Sequence, residues 1–503
     1  MTQPAFYDLC NYDDFLYDDV PTAGLRWFLE IDWNDDGVFD GSNDGFMLAD
    51  LRTRRGRQNL LRSDNTGLEE VVTGEFEAEL DNSDGRYDPY NITSPLYPYI
   101  QPGVIFQLRV LDLATGIEHD IMTGNITRIQ PYRTGDGLER VKLRGEDGST
   151  TLKDADVDAG VQSSYRTDQA IAAILTAAGW TGGSNLDTFT DTMSYWWGRG
   201  NSAWREIHDL VDASLGQFFI AKGGAATFYS RLHSRASMQT LTESDILAEY
   251  GITVMMPWEV MRNDIRMTVN TRTAQSASEL WRLSDTPLVR AGESMDLWID
   301  YRYNNDTIPA TGVITPVATT DYTMNSLANG SGTNLTGNFT VTATKFAETA
   351  KLTIANGGGT DGYITLLKVR GQALTTTPVT LVKAASSGRM RRFMVDNPWL
   401  QSVNITQDIL TVLYYYLLSG QVYPRVQLLD NPALQFTPDL FSLQSLAFPS
   451  KSISGDYATA LIEHQWIDAL GQKIRTTFYF EPRLGTSFWV FPALLGISTR
   501  FAG

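Results

Sequence analysis

The residues best placed to do chemistry in this 503-residue chain form a short acidic run, Asp32-Trp33-Asn34-Asp35-Asp36-Gly37-Val38-Phe39-Asp40. Oxygen donors stand at the first, third and fifth places (Asp32, Asn34, Asp36), glycine at the sixth and a further carboxylate, Asp40, at the ninth. This matches the front half of a calcium loop, because calcium takes about six to eight oxygen ligands and closely spaced carboxylates supply them. At the twelfth place stands Asn43, not the bidentate glutamate, with Asp44 next. Two readings follow: a calcium site on Asp32, Asn34, Asp36 and Asp40, or an acidic hairpin tip whose side chains make Asx-turns with their own backbone. Calcium is the one cofactor the sequence suggests.

Other reactive groups are sparse. His119, His208, His233 and His464 include no two-histidine zinc spacing, and Cys10, the single cysteine, rules out a zinc ribbon or an intrachain disulfide. His208 stands beside Asp209 on a predicted helix, where a solvated ion pair is expected. The nucleophile elbow, the phosphate-binding loop and the dinucleotide fingerprint are all missing from the sequence. Carboxylates are too abundant for a glycosidase pair to be singled out. No enzymatic activity is expected. Arg52, Arg54, Arg55 and Arg57 form the one basic concentration, suited to a neighbouring subunit's acidic face or to a charged edge strand that discourages aggregation. Trp196-Trp197 suits either a sugar platform or a buried interface anchor.

The elements that must position these residues are mostly strands. In Gly74–Leu80, Phe76, Ala78 and Leu80 alternate with Glu75, Glu77 and Glu79, the period of a half-buried strand. It runs into Asp81-Asn82-Ser83-Asp84-Gly85, a cluster of turn formers, then Arg86-Tyr87-Asp88-Pro89-Tyr90. This string resembles the "LDN-x-DGRY-x-P" signature of tail proteins from bacterial viruses. Arg55-Gly56-Arg57 resembles that family's "RGR" strand, Ser94-Pro95-Leu96-Tyr97 with Pro102-Gly103 its "SPLY…PG" segment, and Thr123-Gly124-Asn125-Ile126 its "TG-x-I" strand start, all in the same order. The resemblance is to the baseplate or tail-tip hub proteins. It marks Arg55, Gly56, Arg57, Leu80, Asp81, Asn82, Asp84, Gly85, Arg86, Tyr87 and Pro89 as interface or structural residues.

Domain organisation follows from changes in texture. An aromatic and acidic arm is expected over 1–23 and a first β-barrel over 24–150. An α/β helix–hairpin unit is expected over 151–248. Its helices begin at Thr167 and Ser202, and its hairpin follows Gly216. A second barrel is expected from 249–276 and 386–503, interrupted by a Thr-, Asn- and Gly-rich β-sandwich over 277–385. The second barrel carries one helix, with Asn404 and Gln407 as its capping box. The expected class is therefore mainly β with a small α/β part. Hydrophobic content of 42% and charged content of 20% suit a folded protein. The run Ile409–Leu418 is too short to cross a bilayer, and the N-terminus lacks a secretory signal.

Net charge of −19 argues against stable nucleic-acid binding, which rests on cationic contacts to phosphate. An acidic wall would instead let DNA pass without being held; the same charge also keeps an abundant protein soluble. The resemblance implies a homotrimeric hub in the virion, made in the host cytoplasm and placed at the tail tip. Two barrels per chain would form a pseudo-sixfold ring joined to the distal tail protein and tail tube, passing the tape measure protein and DNA in transit. Tail fibres or receptor-binding proteins are further implied partners. The competing reading is a tail protein that binds host-surface carbohydrate through the 277–385 insert.

Overall fold

The computed structural model describes residues 24–39, 47–64, 66, 68–233, 236–246, 251–386, 388–418, 421–467 and 473–482. The expected arm over 1–23 lies outside these, as do Asp40, Asn43 and Asp44.

The chain is mainly β. Six strands of its first third are β1 (Leu25–Asp32), β2 (Met47–Gly56), β3 (Val72–Asp81), β4 (Ile105–Asp112), β5 (Ile117–Arg133) and β6 (Glu139–Asp147). They pair antiparallel in the order β1-β4-β5-β6-β3-β2. In β3 the alternation seen in the sequence becomes two faces. Phe76, Ala78 and Leu80 are fully buried, with Phe76 stacked on Phe106 of β4 at 4.9 Å. On the other face, Glu75, Glu77 and Glu79 reach Arg144, Lys142 and Arg140 of β6. Direct register sets Glu77 opposite Arg144 and Glu79 opposite Lys142, so each ion pair runs diagonally, two residues off register. The two more exposed pairs, at Glu75 and Glu77, contribute about 0.2–1 kcal/mol each; Glu79 is buried, so its pair is less screened.

The sheet does not stop at β2. Strand Ile453–Trp466 pairs with β2, and Ile474–Pro482, Tyr423–Leu429 and Ile252–Met255 follow in turn. Leu443–Phe448 and Ser237–Thr242 branch from Ile453–Trp466, giving twelve strands in one sheet. The two halves therefore share backbone hydrogen bonds along β2.

Beside the sheet, helices Thr167–Ala177 and Ala203–Ser214 and the hairpin Gln217–Ile220/Ala226–Tyr229 share a core containing Ile171, Ile174, Ile207 and Phe228. Ser202 caps the second helix, accepting from Arg205 N, and Leu215 ends it in the left-handed region. The first helix has Arg166 as its N-cap, with Gln169 Oε1 accepting Arg166 N; Thr167, where the helix is expected to begin, is its first helical residue.

Residues 277–385 contain two facing sheets over a common core that includes Leu352, Ile354, Ile364 and Leu367. One sheet is Ser294–Asp300, Thr349–Asn356 and Phe339–Lys345. The other is built on the 23-residue strand Gly362–Ala384. That strand continues beyond the sandwich and pairs with Asp264–Ala274, which also pairs with Arg392–Asp396. Strands expected in the second barrel thus join a sheet with the insert's longest strand. Helix Val403–Leu418 covers this sheet, with Ile409, Leu410 and Leu413 against Ile265, Met267 and Phe393. It begins one residue before Asn404. Ser402 serves its start instead, its Oγ accepting Ile405 N and its carbonyl accepting Thr406 N. Among the described residues, no helix is long and apolar enough to cross a membrane.

Candidate functional site: the arginine junction and the turn ladder

Strand β2 is not an edge strand, and this corrects the expectation for its arginines. Arg54 stays at the surface and pairs with Glu463 at 3.1 Å, but Arg55 and Arg57 are each only 5% exposed. Burying a guanidinium is costly unless acceptors take up most of its donors; of these two, Arg57 Nε is left without one. Arg55 reaches three separate segments: Ile121 O of β5 at 3.3 Å, Ile220 O of the helix–hairpin unit at 2.8 Å and Asp439 Oδ1 at 2.8 Å. Asp439 Oδ2 in turn accepts Lys222 N at 3.0 Å. Arg57 donates to Glu69 O and places Nη2 between both carboxylate oxygens of Glu481, with its guanidinium 5.2 Å from the centre of the Phe441 ring.

Gly56, between the two arginines, has φ +120. A Cβ there would lie 2.1 Å from Ala460 O, so no side chain fits where β2 crosses strand Ile453–Trp466. The next amide, Arg57 N, donates to that same carbonyl at 2.8 Å. Arg55-Gly56-Arg57 is therefore an intramolecular junction binding the first half, the helix–hairpin unit and the C-terminal half. Asp147 stands behind it, fully buried and accepting Gly74 N at 2.7 Å and Ser149 N at 3.0 Å. Burial pushes its carboxyl up, against the pull of these bonds and of Arg55.

The loop after β3 is a ladder of turns with a period of three. Gly85 N donates to Asn82 O, Asp88 N to Gly85 O, Asn91 N to Asp88 O, Ser94 N to Asn91 O and Tyr97 N to Ser94 O, at 2.9–3.2 Å. Side chains secure the same rungs. Asn82 Oδ1 accepts Tyr87 N, Asp84 Oδ1 accepts Arg86 N while its Oδ2 accepts Arg86 Nε, and Asp81 accepts both the amide and the hydroxyl of Ser83. Gly85 supplies φ +68. Leu80 and Tyr87 are fully buried, Tyr87 with its ring 6.0 Å from Trp33, while Pro89 is half-buried. Within this ladder, Tyr90 and Ile92 project outward, 91% and 74% exposed. The signature thus encodes a rigid, self-bonded loop that presents apolar side chains outward.

In the acidic run, Asp32 is buried, and its two oxygens accept Asp36 N at 3.2 Å and Gly37 N at 2.8 Å. Asn34 Nδ2 donates to Asp36 Oδ2, and Asp36 Oδ1 accepts Val38 N. These side chains serve the turn; Asp40 lies outside the described residues. Among the described residues, no group of three or more His, Cys, Asp or Glu side chains converges as a metal site.

His208 is not in a solvated pair. It is buried against Trp204 and Phe218, and burial pushes its pKa down to about 3. Asp209 pairs instead with Arg199 and Arg205. His464 is likewise buried and lowered to about 3, with Nδ1 2.8 Å from Thr476 Oγ1. Trp196 and Trp197 are buried too, stacked on Tyr165 and set edge-on to Trp399, so they form no sugar platform.

The residues that sequence reasoning missed are the acceptors Asp439, Glu481 and Asp147, and the donor Gln435, which is fully buried and whose Nε2 donates to Ile474 O at 2.7 Å and Thr476 Oγ1 at 3.0 Å. Arg55 and Arg57 lie 384 and 424 positions from their carboxylates, so no local pattern could have named them.

No protein-family description matches the sequence, and no curated protein does. Similarity appears in solved structures. The tail protein from Neisseria meningitidis MC58 is similar over 92% of this chain and 97% of its own, with TM-score 0.51 and 8% identity. A 43 kDa tail protein of prophage MuSo2 from Shewanella oneidensis covers 91% and 98%, with TM-score 0.49 and 10% identity. Prophage tail protein gp18 from Listeria monocytogenes EGD-e covers 94% and 100%, with TM-score 0.43 and 8% identity. At such low identity the likeness is one of fold, and over nearly its full length this chain has the fold of the Neisseria tail protein.

Proposed function

We propose that this chain is a structural protein of a phage tail tip, a baseplate hub that assembles as a homotrimer. The observation carrying the reading is the β2 junction: one sheet passes without interruption from the first half of the chain to the last, locked by Arg55, Gly56 and Arg57. A ring element that carries load between tube and tip needs its two halves to move as one body. Two β-rich halves in each of three copies would give six similar units around the axis, matching a hexameric tail tube. The distal tail protein and tail tube would dock on one side, with fibres or receptor-binding proteins attached at the tip. The tape measure protein and DNA would pass through the middle, and the net charge of −19 suits a bore that does not hold phosphate.

The fold shared with the Neisseria tail protein supports this reading, and so does the order of the sequence elements. The role is geometric and non-catalytic; the arginine junction spends its polar groups on the fold itself. Co-purification with tail tube and distal tail proteins, from cells making all three, tests the proposal. A complex of the three supports it, and a chain that elutes alone from such cells contradicts it.

A further inference from the structure

The insert carries one aromatic side chain in an unusual setting. In the sheet Ser294–Asp300, Thr349–Asn356 and Phe339–Lys345, one face is apolar and packed: Leu297, Ile299, Leu352, Ile354 and Val341 point into the sandwich core. The opposite face is mostly polar, and on it the edge strand Ser294–Asp300 carries Trp298, 66% exposed. One side of its indole is backed by Phe346, stacked at 5.7 Å with 21° between the planes. Phe346 thus backs a ring that remains largely exposed.

Register places hydrogen-bonding groups around that ring. Lys351 stands directly opposite Trp298, and Thr344 lies beyond it on the third strand. Asp296 and Asp300 flank Trp298 two residues away along its own strand, on the same face. Lys351 Nζ lies 2.8 Å from Asp296 Oδ2, and Thr353 Oγ1 donates to Asp296 Oδ1 at 2.6 Å. These contacts join Asp296, Lys351 and Thr353 across the two strands.

We propose that this face binds a polysaccharide, with Trp298 as the platform for one hexopyranose ring. A pyranose has an apolar C–H side and a rim of hydroxyls, and this face offers the complement: a flat indole ringed by carboxylate, ammonium and hydroxyl groups. A protein partner would call for several apolar anchors around the tryptophan; here, among the described residues, Phe346 is the one aromatic packed on it, and its register neighbours on the face are Asp296, Asp300, Lys351 and Thr344. A flat, open surface suits a chain of sugars better than a small molecule, which needs a concave pocket. The site lies wholly within the insert and does not depend on the hub assembly.

The test is affinity electrophoresis of the full-length chain through gels holding dextran, mannan, laminarin or glycol chitin, alongside Trp298→Ala and Lys351→Ala. At 66% exposure, Trp298→Ala should leave the melting temperature and the assembly mass unchanged, and both are measured on the same samples. Expected is retardation of the wild type by at least one polysaccharide, weakened tenfold or more in Trp298→Ala and less in Lys351→Ala. Retardation by none of the four, or equal retardation of Trp298→Ala, overturns the proposal. Either result stands apart from the hub reading, which fails only if the wild type does not assemble.

Discussion

Arg57 and Glu481 stand 424 positions apart in the chain, yet Arg57 Nη2 lies 2.9 Å and 3.0 Å from the two carboxylate oxygens of Glu481. Both side chains are about 5% exposed, at the meeting of the first and last parts of the sheet. Removing one partner of a buried pair leaves the other charge without compensation, at a cost of about 3–5 kcal/mol. Arg57→Ala and Glu481→Ala should each lower stability by that amount in urea denaturation. The double change Arg57→Met/Glu481→Leu should recover most of the loss. Strictly additive losses would show that the pair is not coupled.

Gly56→Ala tests the close crossing directly. With a Cβ 2.1 Å from Ala460 O and a backbone φ of +120, the substitution cannot be absorbed without moving β2 off its partner. The expected cost exceeds about 4 kcal/mol, in the range reserved for core and backbone disruption. It would be seen as loss of soluble protein, or as a large fall in the urea midpoint. A soluble variant with an unchanged midpoint would mean that β2 and its neighbour are not packed as described.

Much of this fold is legible in the sequence, but unevenly. The alternation of Phe76, Ala78 and Leu80 gives β3 and its buried face, and Ser202 and Gly216 bracket a helix, because period and capping are local signals. From type and spacing alone, the arginines suit a subunit interface or a charged edge strand. Their burial depends on Asp439 and Glu481, which arrive from the far end of the chain. His208 misled for the same reason: its neighbour Asp209 is adjacent in sequence, but the ring points into the core toward Phe218. The strand Gly362–Ala384 obscured the boundary of the insert, since one long strand can serve two sheets without any break in pattern.

The turn ladder predicts a local effect. Asn82→Ala removes the acceptor of Tyr87 N and should cost about 1–3 kcal/mol, because that amide is buried. Hydrogen exchange should rise across residues 85–97 while the β3–β6 pairing stays protected. Uniform exchange throughout the sheet would contradict a self-contained ladder.

The buried histidines should weaken the fold in mild acid, while Asp212, its carboxyl pushed up to about 7 by burial, works against them over the same range. His208 and His464, held down to about 3 in the fold, would titrate near about 6.5 when unfolded. The unfolded chain therefore binds protons that the fold refuses. Their contribution is intact above about pH 6.5 and is lost as pH drops from there toward 3, at up to about 1.4 kcal/mol per pH unit for each ring. His464→Gln should flatten the decline in urea midpoint between pH 6.5 and 4.5. An unchanged slope would place the protonation elsewhere.

Calcium is expected to have little effect, since both oxygens of Asp32 are engaged by amides of its own turn. Adding EDTA should leave the melting temperature unchanged, whereas Asp32→Ala should lower it. A rise in melting temperature on adding calcium would show instead that Asp40 completes a metal loop with Asp32, Asn34 and Asp36.

The central claim is that copies of this chain close around an axis, and the most direct test is the native mass of the purified protein. The hub account predicts a particle of three times the 56.0 kDa chain mass, seen end-on by electron microscopy as a ring with an open centre and six similar lobes. A particle of 56.0 kDa that stays monomeric at high concentration would contradict it.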